Sequence, residues 1–227
     1  MADLLPLFPL PNVVLFPNVF LPLHIFEPRY RDMVSDALAG DRMIGMTLLK
    51  AGRKRDHDGR PLVYPIGSSG LIAHVEHLAD GRYNIVLRGV ERFRILEEDS
   101  SVAYRRAFVE SLPERRLEAD DRSVLQSCRA RLESLVAPAL RASMVSGRQS
   151  VGSRGDATVG IEADLRAAAM GDEDLINALA QYLDLEPLEK QALLERNCIR
   201  SRAESLVDLL EMKILIARTP GMSTFTH

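Results

Sequence analysis

Apolar residues follow two different rhythms along this chain. From Leu4 to about Leu112 they come in short runs, rich in β-branched residues and separated by turns. "MIGMTLL", Met43 to Leu49, reads as a buried strand, and so does "GLIAHVEHL", Gly70 to Leu78. The Asp-Gly of "ADGR", Ala79 to Arg82, is a hairpin-turn signal. The returning run "YNIVLRGVERFRIL" is apolar at Tyr83, Ile85, Leu87, Phe93 and Ile95, with Asn84, Arg88, Arg92 and Arg94 between. Period two with one wet face is the antiparallel pattern. Gly89 within that run marks a bulge or a sharp bend, and "VAYRRAFVESL", Val102 to Leu112, completes the sheet.

One helix interrupts this half. Pro28 suits a first helical turn, where a missing donor costs nothing. Tyr30, Met33, Val34, Ala37 and Leu38 follow at helical spacing, and Gly40 ends the helix. After "PERRLEADD" the period changes. Val124, Cys128, Leu132 and Leu135 mark a helix face running to about Leu140. Ser143 to Gly160 reads as a Gly/Ser-rich loop, expected to be mobile from Ser146 to Gly160. Asp172 or Asp174 caps a helix running to Asp184, and Pro187 starts another. A last helix carries the stripe Ile199, Ala203, Leu206, Leu210, Ile214 and Ala217, and Pro220-Gly221 stops it. These elements give an α+β class: a strand domain with one helix over 1–116, then a helical bundle over 117–227.

The first thirty residues complicate this reading. "LFPLPNVVLFPNVFLPLHIFEPRY" holds four prolines before Pro28, and Pro6 precedes it, although proline cannot donate to a sheet ladder. Pro6, Pro9 and Pro11 alternate with Leu and Phe, so no continuous polyproline ligand surface forms. Pro17 and Pro22 are expected at strand starts and bends. The segment is therefore scaffold, and its apolar residues fill the β core. It lacks the basic start of a secretory signal, and no segment reaches 18 uninterrupted apolar residues, so a cytoplasmic protein with no membrane partner is expected.

Composition narrows the function classes. The 227 residues carry a net charge of −3 with 5% aromatics and no tryptophan, which argues against a nucleic-acid partner. The row Arg88, Arg92, Arg94 on one wet strand face is the single feature in favour of RNA. Cys128 and Cys198 are expected as inert reduced thiols. "GRQSVGSR", Gly147 to Arg154, has the glycine spacing of a phosphate loop, but Ser153 and Arg154 stand where lysine and Ser/Thr are needed. "VGSRG", Val151 to Gly155, lacks the first glycine of a nucleophile elbow, and "GSSG", Gly67 to Gly70, is expected as a kink. In "HVEH", His74 and Glu76 share a strand face while His77 points away, which is wrong for one metal. His57 belongs to a charged turn, and His24 is expected as a hydrogen-bonded core residue. No catalytic set, cofactor or metal site emerges, and a binding module is favoured over an enzyme.

The opening block, Leu4 to Val34, resembles the start of the N-terminal substrate-binding domain of the ATP-dependent Lon proteases. So do "DRMIGMTLL", "YPIGSSGLIAHVEHLADGRYNIVLRGVERFRI" and "LAQYLDLEPLEKQALLE", in the same order over about Leu4 to Leu215. The resemblance implies a PUA-like β-rich pseudobarrel followed by a helical bundle. It implies a non-catalytic module for unfolded or extended polypeptides, an adaptor or accessory to proteolysis, with the Lon ATPase and protease domains expected to be missing. Self-association and a separate protease are the further partners it suggests. A small-molecule or RNA-binding PUA-like domain is the alternative. Phe16, Phe20, Arg29 and Tyr30 are the residues expected to line the polypeptide-binding patch.

Overall fold

The computed structural model describes residues 3–52, 59–146 and 170–218. Its strands are β1 (Asp3–Leu10), β2 (Phe20–Ile25), β3 (Met43–Leu48), β4 (Ile66–His77), β5 (Tyr83–Asp99) and β6 (Arg105–Leu112). Its helices are α1 (Pro28–Ala39), α2 (Ala119–Ser146), α3 (Asp172–Tyr182), α4 (Pro187–Leu194) and α5 (Ile199–Arg218). The class is α+β, as the two rhythms predict.

The sheet runs β2-β5-β4-β3-β1-β6, and β6 also pairs with β5. That last pairing closes five strands into a small barrel and leaves β2 as an added strand at the open side. Pro17 lies in a turn, as expected, but Pro22 lies inside β2, and Pro6 and Pro9 lie inside β1; the register shows why the sheet tolerates them. β1 pairs with β6 over Asp3–Leu7 and with β3 over Leu7–Leu10. Pro6 therefore faces a neighbour only on the β6 side, and Pro9 only on the β3 side, so neither removes a needed ladder donor. Pro22 lies in β2, whose partner is β5 alone.

β1 is buried on both faces. Leu5 and Leu7 join Phe93, Ala107 and Val109 in one cluster. Phe8 points the other way, into a cluster with Tyr30, Met33, Val34 and Ala37 of α1. The helix stripe read from the sequence is thus the face that roofs the sheet. Inside the barrel, Phe93 takes space left by two glycines: a Cβ at Gly45 or Gly67 meets its ring at 2.9 or 2.6 Å. "GSSG" lies within β4, where the β4–β5 register slips between Ser68 and Gly70. Both serine hydroxyls donate to the Glu91 carbonyl there, at 3.2 and 3.1 Å, which satisfies the acceptor freed by the bulge.

Gly89 sits at the other side of this irregularity, where the chain entering β2 crosses β5. Asn18, in the left-handed region at φ 61°, donates its N–H to the Gly89 carbonyl, and Gly89 N–H donates to the Val19 carbonyl, both at 2.9 Å. A Cβ on Gly89 collides with the Phe16 carbonyl. The Asp-Gly hairpin forms as predicted, with Gly81 at φ 80° and Asp80 accepting the Arg82 N–H.

By their internal packing the described residues form two units that interleave along the chain. The strand unit extends to Glu114 and also holds Asn177–Glu195, where the sequence division at 116/117 supposes two consecutive segments. Two glutamines give the physical reason. The Gln181 side chain accepts the Phe16 N–H at 3.1 Å, and Gln191 donates to the Ile66 carbonyl at 3.0 Å. Buried backbone groups of strand connections are satisfied by this helical return. In α4, Pro187 opens the helix and Glu189 accepts the Glu186 N–H.

The helical unit holds Arg115–Ile176 and the residues from Arg196 onward. Asp121 fastens its two long helices: it accepts from Arg115 and the Glu118 N–H, and from Arg200 of α5. The predicted α5 stripe is buried at Ile199, Ala203 and Leu206, but Ala217 is exposed. Both cysteines are free, and burial pushes the Cys128 thiol up. We expect Gly89→Ala to cost roughly 1–3 kcal/mol, the range for forcing extra volume into a packed site. A denaturant titration followed by circular dichroism measures it, and an unchanged midpoint means the crossing relaxes freely.

Candidate functional site

Five chain segments converge on a recess in the strand unit. Pro9, Leu10 and Pro11 at the end of β1 form one wall, and Ala103, Tyr104 and Arg105 at the start of β6 form another. Arg29 and Tyr30, in the first turn of α1, and Arg60-Pro61 close it, leaving about 200 Å³. Three guanidinium groups and one carboxylate, Glu27, line a surface that is otherwise proline, leucine and tyrosine. Its arginines are held in different ways. Exposed Arg29 pairs with Glu27 at 2.8 Å while its guanidinium lies 4.5 Å from the Tyr30 ring centroid. Buried Arg105 reaches Glu98 at 3.1 Å and donates to the Pro61 carbonyl at 3.0 Å.

Two tyrosines form the inner part of the recess. The Tyr30 ring packs on Phe8 with centroids 4.5 Å apart. Burial pushes its phenol up, partly opposed by the charges of Arg29 and Arg105. Tyr104 donates to Asp36 of α1 at 2.8 Å.

Beside the recess lies the outer face of β2. Its odd residues turn inward, while Phe20, Pro22 and His24 face solvent. Phe26 follows, stacked near the His24 ring at 6.2 Å, and leads directly to Glu27 at the recess. Phe20 and Phe26 are 48% and 60% exposed. A polar chain orders this face across three strands. Arg82 lies 3.0 Å from His24 Nε2 and can only donate, so that nitrogen accepts and Nδ1–H donates to Asn84 Oδ1 at 2.7 Å. Asn84 in turn donates to Glu76 at 2.8 Å. The free edge of β2 is blunted. Since Val19 O bonds to β5, alternation turns the backbone groups of Phe20, Pro22 and His24 outward. Pro22 has no N–H to expose there, and the Phe20 carbonyl accepts from the Tyr182 hydroxyl at 3.1 Å.

The four expected binding residues separate accordingly. Arg29 and Tyr30 meet in the recess, Phe20 lies on the β2 face, and Phe16 is fully buried with no surface to offer. His24 is hydrogen-bonded but exposed, not a core residue, because β2 alternation places it outward. The arginine row is also broken. Arg88 and Arg94 are exposed, but Arg92 is buried, meeting Glu114 at 3.3 Å and the Leu194 carbonyl at 3.3 Å. His74 and Glu76 are exposed, and His77 stacks on Tyr83. His57 and the motifs in 147–155 lie outside the described residues, as does most of the expected loop. Among the described residues no cluster of His, Cys, Asp or Glu could hold a metal, and no helix is long and apolar enough to cross a membrane. The recess was not legible from spacing, because its walls come from five separate stretches of sequence, one of them Leu49 alone.

Burial, and then the bond to Asp36, push the Tyr104 phenol up to about 12. An unfolded tyrosine titrates near 10. The raised folded value means the stabilisation is complete below about pH 10 and is lost as pH climbs toward 12. We therefore expect Tyr104→Phe to lower stability by about 1 kcal/mol at neutral pH. It should also flatten the decline of the denaturation midpoint between about pH 10 and 12 relative to the wild type. Parallel declines in both proteins refute the assignment.

Comparison with known proteins gives a consistent picture. Residues 4–212 match the family model of the ATP-dependent protease La (LON) substrate-binding domain. A Lon protease of Flavobacterium johnsoniae is 28% identical over 199 residues, covering 88% of this chain and 23% of that protein. Lon protease 2 of Sorangium cellulosum is 32% identical over 113 residues, covering 50% of this chain and 14% of that protein. The chain thus spans a quarter or less of the length of these relatives. Among solved structures, the Lon N-terminal domain protein from Xanthomonas campestris superposes with TM-score 0.57 at 21% identity, covering 91% of this chain and 98% of that one. The N-terminal domain of the Mycobacterium avium complex Lon protease gives TM-score 0.57 at 16% identity, covering 92% and 98%. With the family model matched over nearly its whole length, the chain belongs to the Lon substrate-binding domain family.

Proposed function

We propose that the chain is a Lon-type recognition module that holds unfolded or extended polypeptides and performs no bond chemistry itself. It serves proteolysis as an adaptor or accessory in the cytoplasm. The observation that carries this reading is the exposed strip Phe20, Pro22, His24 and Phe26, leading along β2 into the recess at Glu27 and Arg29. Large exposed aromatics on an ordered strand face mark an interaction surface. A six-residue strand spans about 20 Å, enough for several residues of an extended client.

The blunted edge decides the manner of binding. Strand addition needs a row of free backbone donors and acceptors. Pro22 supplies no donor and Tyr182 occupies the Phe20 carbonyl. The client is therefore held by side-chain contacts on the face, which reads bulk and hydrophobicity and tolerates many sequences. The relatives' proteolytic activity belongs to proteins about four times longer, and nothing in the recess pairs a nucleophile with a base.

Binding to casein, an unfolded client, against a folded globular control tests the reading. The wild type should retain casein selectively. Phe20→Ser with Phe26→Ser should weaken binding by about 2 kcal/mol, roughly 1 kcal/mol per aromatic anchor. Equal retention of both proteins, or an unchanged affinity in the double variant, refutes it.

A further inference from the structure

Tyr30 is 6% exposed and lines the recess together with Arg29, Arg60 and Arg105. Its phenol is a hydrogen-bond donor, and an acceptor seated in the recess would take that bond. The surroundings specify the kind of acceptor. Arg29 and Arg105 both act electrostatically on this hydroxyl, and Arg60 adds a third guanidinium to the lining. Buried Arg105 is fixed by Glu98 and the Pro61 carbonyl, so its charge is pre-positioned and not free to swing out to solvent.

Size limits the ligand further. Drug-sized molecules take pockets of roughly 300–1,000 Å³, and this one measures about 200 Å³. It suits one residue, not a cofactor. Pro9 and Pro61 give the walls an apolar, rigid character that suits the aliphatic or backbone part of that residue. Glu27 at the mouth works against a chain of closely spaced phosphates while leaving a single anion balanced by the arginines.

We propose that the recess seats one carboxylate of a bound polypeptide, either an acidic side chain or the free C-terminus. Tyr30 donates to it, and Arg29, Arg60 and Arg105 surround it with positive charge. The inference rests on the polypeptide-recognition reading and deepens it: the β2 face takes the apolar part of a client and the recess takes one negative charge beside it.

Fluorescence anisotropy with three labelled ten-residue peptides of Phe, Val, Ser and Thr tests this. One carries an internal Glu and an amidated end, one has Gln in its place, and one is the Gln peptide with a free C-terminus. At least one carboxylate peptide should bind about tenfold more tightly than the neutral one, as expected of a charge-assisted hydrogen bond, and which one does so identifies the source. Tyr30→Phe keeps the ring on Phe8, and circular dichroism verifies its folding. It should erase the tenfold preference, so that the carboxylate peptides bind no more tightly than the neutral one. Arg29→Gln, at an exposed position, should reduce the preference in the same direction. Equal wild-type binding of all three peptides overturns the carboxylate site while polypeptide recognition stands. Binding of none overturns both. A Tyr30→Phe loss that is equal for all peptides makes Tyr30 structural and refutes the proposal. Displacement of the Glu peptide by a uridine oligonucleotide, dependent on the Tyr30 hydroxyl, reassigns the recess to phosphate.

Discussion

The crossing of the chain over Gly89 is the constraint on which the strand unit depends. Two backbone hydrogen bonds bind Asn18 and Val19 to Gly89, and no side chain fits between Gly89 and the Phe16 carbonyl. This clamp sets where β2 begins on β5, and a strand's register fixes every side chain's face. Phe20 and His24 are outward because of it, and Leu21, Leu23 and Ile25 are inward. The same register delivers Pro28 and α1 to the roof of the sheet, and so places Arg29 and Tyr30 at the recess.

The prolines follow from a second constraint, the division of β1 between two neighbours. A strand with partners on both sides throughout could not contain Pro6 and Pro9 without orphaning ladder acceptors. β1 changes partners at Leu7, so each proline falls where one side carries no ladder. Rigid residues at such places also limit the freedom of the unfolded chain. Pro9 and Pro11 then continue into the recess wall, so the feature that makes β1 possible also stiffens the site.

Much of this was legible in the sequence wherever periodicity is local. The α1 stripe, the β4–β5 hairpin and the change to helical spacing after Pro113 follow from neighbours within a few residues. What escaped depends on distant partners. Arg92 reads as one of three solvent-facing arginines, but Glu114 and the Leu194 carbonyl, distant in sequence, meet it and it is buried. Pro22 reads as a strand start or bend because one-sided pairing is a property of the sheet, not of the strand. Phe16 and Phe20 look alike in sequence, yet one lies before the crossing and is buried while the other lies after it and is exposed. The return of Asn177–Glu195 to the strand unit rests on two glutamine side chains, whose long-range bonds no spacing reveals.

The filled barrel determines where recognition can occur. Phe93 occupies the volume that Gly45 and Gly67 vacate, and Leu5, Leu7, Ala107 and Val109 complete that cluster. A closed barrel of five strands is too narrow to hold a ligand once its interior is packed this way. The free edge is closed as well, since Pro22 and Tyr182 leave β2 without the row of groups that strand addition requires. What remains is surface: an aromatic strand face ordered from behind by Arg82, His24, Asn84 and Glu76, and a residue-sized basic recess at its end. A rigid support with shallow contacts suits the recognition of varied extended chains, because the cost of ordering falls on the client and not on the site.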